Sequence, residues 1–456
     1  MLTTVRAPRL GSKGWALLLV LCGAIFIEGS DVAMLNVALP SIREDLGMSP
    51  AELSGVMSAY VLGYGGFVLL GGRAADMFGR RRMFLLWLVV FLVFSGLGGF
   101  APEGWVLLLA RFVTGAAAAF MTPAGLSIIT TSFAEGPQRN RALIIYGAAG
   151  AGGFSLGLVA GGLLAGIGWR WVFFAPVILS ALILVFGTIL IPGADRPERA
   201  RGFDLTGALT IAGSMLLLVF GTVRLEHPAN GWVWTTAAFA GGLLLLAAFV
   251  RAERRAAVPL VRLGVLRSGA LVRANIGALL FMGSFYGFQL IVTLYLQDLH
   301  GWSTVETGLA MLIIALDMVL APTLTPRLVD RFGTTKVILA GLGFAALGYL
   351  LFMPATADWP YAAMLPSFIS LGLAFSFVYG PITIAATDCI AAREQGLAGG
   401  LLNTSTQFGA ALGVTLVTIA GQTLNALIVP VIGIALALLV TGSGLKPRRE
   451  VGERLA

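Results

Sequence analysis

A chain of 456 residues that is 58% hydrophobic and only 11% charged, with a mean hydropathy of +0.91, is too apolar for an ordinary soluble globular protein. Its formal net charge of +8 would fit a nucleic-acid binder, but the basic residues lie in short stretches between apolar runs and form no single patch, which excludes that class. Two cysteines, Cys22 and Cys389, and two histidines, His227 and His300, supply no metal-site or disulfide spacing.

Crossing a hydrocarbon core about 30 Å thick takes about 20 mostly apolar residues. Cutting the chain at charges, prolines and glycine-rich turns gives fourteen such segments: 15–39, 53–72, 83–101, 105–131, 142–166, 171–192, 205–223, 232–250, 270–296, 304–325, 337–354, 360–386, 397–420 and 423–443. All are expected to be helices, because helices satisfy their own backbone hydrogen bonds in lipid. The first has basic residues before it but no small-residue cleavage site after it, so it is expected to be retained as a span. An even count puts both termini on one side. With that side cytoplasmic, 26 of the 30 Lys and Arg fall on the inner side, 25 in connections or tails and Arg273 at the inner start of the ninth segment, as the positive-inside rule requires.

Between the second and third segments runs Gly72-Arg73-Ala74-Ala75-Asp76-Met77-Phe78-Gly79-Arg80-Arg81-Arg82, a glycine-bounded cationic stretch with one carboxylate that predicts a tight loop. A looser copy, Pro326 to Lys336 with Asp330, Arg331 and Gly333, recurs 254 residues later, after the tenth segment. The copies are eight segments apart, so an internal six-helix repeat is expected with two helices inserted between its halves. Segments seven and eight are the candidates. The resulting division is 1–192 for the first half, 193–268 for the inserted pair, 269–443 for the second half and 444–456 for a cytoplasmic tail.

Ionisable residues inside spans are expensive and mark function by default. Glu28 and Asp31 are three residues apart on nearly one face of the first helix. Two close carboxylates in a partly dry cavity cannot both ionise easily, so one can take up and release a proton. The alternative is a fixed ion pair of one carboxylate with Arg111. Asp317 has no basic neighbour in sequence, and is read either as a cavity-facing site for a cationic group or as a hydrogen-bonded acid in the bundle. Gly153, Gly157 and Gly161 recur at i, i+4 and i+8, where backbones can approach closely, for packing or for gating. Phe281, Phe285 and Phe288 form an aromatic stripe at i, i+4 and i+7, read either as packing or lipid contact or as part of a binding surface, with Tyr286 and Gln289 on neighbouring faces. Asn403, Thr404, Thr406 and Gln407 offer uncharged hydrogen-bonding groups to a largely apolar binding surface.

These residues resemble the major facilitator superfamily, and within it the fourteen-helix drug:proton antiporter branch. The Gly72–Arg82 stretch matches that superfamily's signature between helices 2 and 3. Asp31 to Pro40 resembles the branch's first-helix signature, with Ala33 where threonine is usual, and Leu107 to Gly115 the fourth-helix one; Glu28 is an addition to the first-helix signature and is read either as part of the proton coupling or as setting the substrate's charge preference. Gly157-Leu158-Val159-Ala160-Gly161-Gly162 resembles the antiporter signature with Leu158 replacing its proline. Trp169 to Phe174 and Tyr295-Leu296-Gln297 also look like the family.

The resemblance implies an all-α polytopic membrane protein with a major facilitator fold, fourteen transmembrane helices (6+2+6) and both termini cytoplasmic. It implies proton-coupled export of small amphipathic, drug-like or secondary-metabolite compounds by alternating access, from a multi-pass position in the cell (inner or plasma) membrane, by a monomer. In this family Arg111 matches a residue assigned to proton transfer; its guanidinium stays charged, so here it is read as tuning Asp31 and Glu28. Helix 9 corresponds to one that lines the family's cavity, which makes Phe281, Phe285, Phe288, Tyr286 and Gln289 candidates for substrate, with Asp317, Asn403 and Gln407. Thr406 stands where the family often has arginine. Gly72, Asp76, Gly79 and Arg80, with Asp330, Arg331, Gly333, Gly157 and Gly161, are the gating candidates, Asp76 as a polar latch between the halves; topology anchoring is the alternative, which accounts for the arginines but not for Asp76 and the glycine spacing. The lysines are Lys13, Lys336 and Lys446, none in a phosphate-binding loop, so the driving force is expected to be the proton gradient, with no ATP and no cofactor. Loss of the helix 5 proline leaves open a proton symporter or facilitator importing a small solute. A membrane-embedded enzyme is the alternative of another class, and lacks a metal-ligand or nucleophile constellation.

Overall fold

The computed structural model describes residues 11–193, 205–225, 232–256, 264, 268–356, 358–388, 390–391, 394–421 and 424–445. His227, Cys389, the connections 194–204 and 257–263, and the tail from 446 lie outside the described residues, as does the side chain of Asp317. Every regular element among the described residues is helical: α1 (Ser12–Leu46), α2 (Pro50–Phe78), α3 (Arg80–Gly99), α4 (Gly104–Ser132), α5 (Pro137–Ile167), α6 (Trp171–Leu190), α7 (Leu205–Leu225), α8 (Trp232–Glu253), α9 (Gly269–Leu294), α10 (Thr304–Met311), α11 (Asp317–Thr323), α12 (Thr325–Phe332), α13 (Thr334–Phe352), α14 (Tyr361–Thr387), α15 (Gln395–Ile419) and α16 (Ile428–Gly442).

Each apolar segment coincides with helix. Twelve helical runs among the described residues are long and apolar enough to cross a membrane, and α7 carries a shorter apolar stretch, Thr206–Gly221. The 25-residue α15 is made less apolar by the run Asn403 to Gln407. Large apolar side chains remain exposed on outer faces, among them Leu163, Ile189, Leu244 and Leu439. Such a surface belongs against lipid tails, and the chain is a multi-pass membrane protein.

Two expectations need correction. The Gly72–Arg82 stretch is not a loop. Helix α2 continues through Phe78, a single residue, Gly79, takes φ 95°, and α3 starts at Arg80. Its distant copy repeats the geometry, with α12 ending at Phe332, Gly333 at φ 84° and α13 starting at Thr334. Only glycine adopts that backbone without strain, while Ala74, Ala75 and Met77 favour helix. The segment 304–325 is in turn not one helix. It passes from α10 through a 3-10 stretch, Leu312–Leu316, into α11. The Ile313 and Ile314 carbonyls there lie against Gly372 of α14, where a Cβ would sit 2.8 Å from the Ile314 oxygen; a larger residue would hold the broken segment away.

Helix pairings recur along the chain. Helix α1 packs on α5 as α9 packs on α15, α3 on α6 as α13 on α16, and α2 on α4 as α11 on α14. Small residues make the closest crossings: Gly153, Gly157 and Gly161 of α5 face Phe26, Ser30 and Met34 of α1, and Gly409 and Gly413 of α15 face Leu279 and Gly283 of α9. Helices α7 and α8 pair with each other, with α7 lying against α2.

Candidate functional site

The α1–α5 crossing positions the chemistry. A Cβ on Gly157 would come within 2.7 Å of the Ser30 Cα and 2.9 Å of the Ala33 Cβ, so the backbones touch where α1 carries its two acids. Asp31 turns toward α4, where it accepts a hydrogen bond from Nη1 of Arg111. Both side chains are buried. The guanidinium also lies 4.5 Å from the centroid of the Tyr60 ring, a cation–π contact. Its Nε and Nη2 find no hydrogen-bond partner among the described residues, so Asp31 is what compensates this charge.

Glu28 points elsewhere. It accepts a hydrogen bond from the Thr122 hydroxyl of α4, stands beside the Tyr64 hydroxyl and lines a cavity of ≈250 Å³. The cavity lies between the two sets of helices. Glu28 and Val32 of α1, Tyr60 and Tyr64 of α2, Thr122 of α4 and Phe154 of α5 line one side; Met282 and Tyr286 of α9, Phe375 and Tyr379 of α14, and Asn403, Thr406 and Gln407 of α15 line the other. A second, apolar recess of ≈60 Å³ shares Ala151, Phe154, Tyr286 and Phe375 with it, and adds Leu158, Phe285, Gln289 and Met311. Mostly apolar walls with a few converging polar groups describe a small-molecule site.

One end of this space is tied shut. Asp76, near the C-terminus of α2, accepts hydrogen bonds from the backbone amides of Gly396 (3.2 Å) and Leu397 (3.1 Å) in the first turn of α15. Those amides have no partner within their own helix, and a carboxylate at a helix N-terminus is favourable. Arg80 stands 3.5 Å from the same carboxylate. Gly72 and Gly396 let the two helices meet, since a Cβ on Gly72 would fall 3.2 Å from the Gly400 Cα and closer still to the Gly396 carbonyl. A second tie joins α5 to the end of α14, where buried Arg139 reaches Asp388 (3.7 Å) as well as Glu135 (3.1 Å). At the opposite end Asp45 accepts from Trp169 Nε1 (3.0 Å) and Arg170 Nη1 (2.7 Å), fixing the end of α1 to the α5–α6 connection.

The family model of the Major Facilitator Superfamily matches residues 21–414. The chain belongs to the major facilitator superfamily. Among its relatives, the puromycin resistance protein pur8 of Streptomyces alboniger is 37% identical over 417 residues, 89% of this chain and 81% of the relative. The cephamycin export protein CmcT of Amycolatopsis lactamdurans is 34% identical over 425 residues, 92% and 87% of the two. Of solved structures, the human organic anion transporter MFSD10 (TETRAN) matches 95% of this chain and 99% of its own at a TM-score of 0.70 and 15% identity. The proton:xylose symporter XylE matches 94% and 95% at 0.66 and 17%. At such identities the likeness is one of fold. As a major facilitator, the protein moves small molecules across a bilayer and is not an enzyme.

Within this major facilitator fold the predicted site residues fall into separate groups. Glu28, Tyr286, Asn403, Thr406 and Gln407 meet at the main cavity, and Phe285 and Gln289 at its recess. Phe281 and Phe288 do not line either space. Phe281 is buried against Phe285 and Phe375, and Phe288 packs on Tyr349 and Phe352 of α13; the turn of α9 carries them toward its neighbours. Asp317 opens α11. Asp330 and Arg331 are exposed, and Asp330 makes no hydrogen bond or ion pair among the described residues, unlike its counterpart Asp76. Helix α5 runs unbroken through Leu158, which lines the recess. Sequence reasoning missed Thr122, Tyr60, Tyr64, Phe154, Phe375 and Tyr379. The Tyr60/Tyr64 pair at i, i+4 in an apolar span was the available signal.

Proposed function

We propose that this transporter exports small amphipathic, drug-like or secondary-metabolite compounds from the cell in exchange for protons, by alternating access. The observation that carries the reading is the inter-half cavity with a carboxylate of α1 in its wall and a buried Asp31–Arg111 pair one turn away. The relatives named for puromycin resistance and cephamycin export support the outward direction. In this reading α7 and α15 also span the bilayer, giving fourteen spans as six plus two plus six, divided near residues 193 and 268. Both termini are cytoplasmic, the membrane is the plasma membrane, and the unit is a monomer without a cofactor. Glu28, Asp31 and Arg111 handle the proton, and Asp76 with Gly72, Gly79 and Arg80 latches the cytoplasmic end.

One proton moving down about 100 mV supplies roughly 2.3 kcal/mol, enough for about a 50-fold gradient of a neutral compound. Everted vesicles test the reading directly. An inside-acid gradient should collapse partly when substrate is added, and more slowly in Glu28→Gln or Asp31→Asn vesicles. A gradient that no compound disturbs, together with substrate accumulating in intact cells only when the protein is present, would instead indicate import.

A further inference from the structure

We infer that the last turns of α8 hold an anionic phospholipid, with its phosphate among Arg251, Arg254 and Arg255 and its acyl chains along Leu243, Leu246, Ala247 and Val250. Among the described residues, these are the ones that line a cavity of ≈520 Å³. They fall at i, i+3, i+4, i+7, i+8, i+11 and i+12, which makes them one stripe along the helix. It is not the face that α8 turns to α7, where Thr235, Ala238, Gly242, Phe249 and Glu253 are buried and the Gly242 carbonyl accepts a hydrogen bond from the Ser214 hydroxyl. Leu243, Ala247 and the three arginines are exposed.

The order of side chains along the stripe is that of a lipid, aliphatic first and cationic after. Depth agrees with this. Trp232 and Trp234 are exposed at the other end of α8, as residues of an interfacial aromatic belt are, and the rise from Trp232 to Arg251 is about 28 Å, close to the thickness of a hydrocarbon core. The arginines therefore stand at headgroup level, in the inner leaflet for the proposed orientation. No Asp or Glu is among the described residues lining the cavity, so an anionic headgroup complements it, whereas a zwitterionic one brings a cation of its own. Guanidinium groups suit a phosphate because they can donate two parallel hydrogen bonds to it. A helix C-terminus attracts cations in general, and the positive-inside rule puts arginines at inner ends. Neither requires three arginines to continue an aliphatic stripe over a cavity.

The test is native mass spectrometry of the purified full-length protein titrated with dioleoyl phosphatidylglycerol, dioleoyl phosphatidylethanolamine or glycerol 3-phosphate, which has the phosphate without the chains. Phosphatidylglycerol should bind about 10-fold or more tightly than phosphatidylethanolamine, and each Arg→Gln change at 251, 254 or 255 should weaken it about fivefold. The triple Arg→Lys variant should keep the preference, which separates lost charge from misfolding. Arg448→Gln with Arg449→Gln and Arg454→Gln removes as much charge from the tail and should leave binding unchanged. Ala247→Trp fills the aliphatic part of the stripe and should weaken phosphatidylglycerol with every arginine in place. Equal binding of the two lipids, equal losses in the tail and α8 triple variants, an unaffected Ala247→Trp protein, or glycerol 3-phosphate binding as well as the whole lipid overturns the inference.

Discussion

Replacing Asp76 with alanine should loosen the end of the transporter that Asp76 holds. The carboxylate is 2% exposed, so solvent screens it little, and it makes two hydrogen bonds to α15 amides at 3.1 and 3.2 Å. Loss of a helix N-cap costs about 0.5–2 kcal/mol, and hydrogen bonds to a charged group contribute about 1.5–3 kcal/mol. These describe the same contacts and overlap, so a net shift of about 2–3 kcal/mol is expected, equivalent to roughly 30- to 160-fold in the balance between closed and open forms of this end. Only the closed form can make these bonds, because their partners sit on helices 320 residues apart in sequence, in opposite halves of the proposed repeat. The assay is a distance distribution between spin labels at Arg82→Cys and Lys336→Cys, both exposed positions, with Cys22 and Cys389 replaced by alanine. Wild type should populate a short distance, Asp76→Ala a longer one, and Asp76→Asn, which keeps an acceptor oxygen, an intermediate mixture. Identical distributions in all three would refute the latch and leave Asp76 a local cap on α15.

Three further outcomes are expected. Asp31→Asn leaves the Arg111 guanidinium buried without its carboxylate, at a cost of about 3–5 kcal/mol; the melting temperature in detergent should fall, and Asp31→Leu with Arg111→Met should recover stability but not transport. Gly157→Val forces α1 from α5, because a Cβ alone already lies 2.7 Å from the Ser30 Cα; overpacking of about 1–3 kcal/mol should appear as a shorter half-life in detergent, and an unchanged half-life would mean the crossing is looser than described. Arg139→Asp should speed opening of the latched end and slow net transport, although Asp388 is 64% exposed and the pair contributes no more than about 1 kcal/mol to stability; adding Asp388→Arg should restore the wild-type rate, and failure to restore it counts against a direct pairing.

The spans were legible because apolar length is a local property, and each segment lies where a helix forms. What surrounds a helix is not local. The stripe of Phe281, Phe285 and Phe288 correctly defines a face of α9, yet nothing in its spacing reveals that α13 takes Phe288 while the recess takes Phe285. The charged stretch after α2 looks like a loop because its arginines and glycines dominate it. Its single interruption at Gly79 depends on a backbone angle, and the partner of Asp76 lies on a distant helix. The copy at Asp330 was found from the same pattern, but the pattern could not show that one acid is buried on a helix end and the other exposed.

The separation of Glu28 from Asp31 follows from helix geometry once the neighbours are in place. Three residues along an α-helix advance about 4.5 Å and turn about 60° short of a full circle, so the two acids share a broad face without sharing a partner. The glycine crossing with α5 fixes the rotation of α1. With that rotation set, Asp31 meets Arg111 behind Tyr60, and Glu28 meets Thr122 at the cavity wall. A bulkier residue at Gly157 would therefore do more than loosen packing. By turning or lifting α1 it would move both carboxylates together, and a transport defect that exceeds the loss of stability in Gly157→Val is the signature that α5 acts on the chemistry through the orientation of α1.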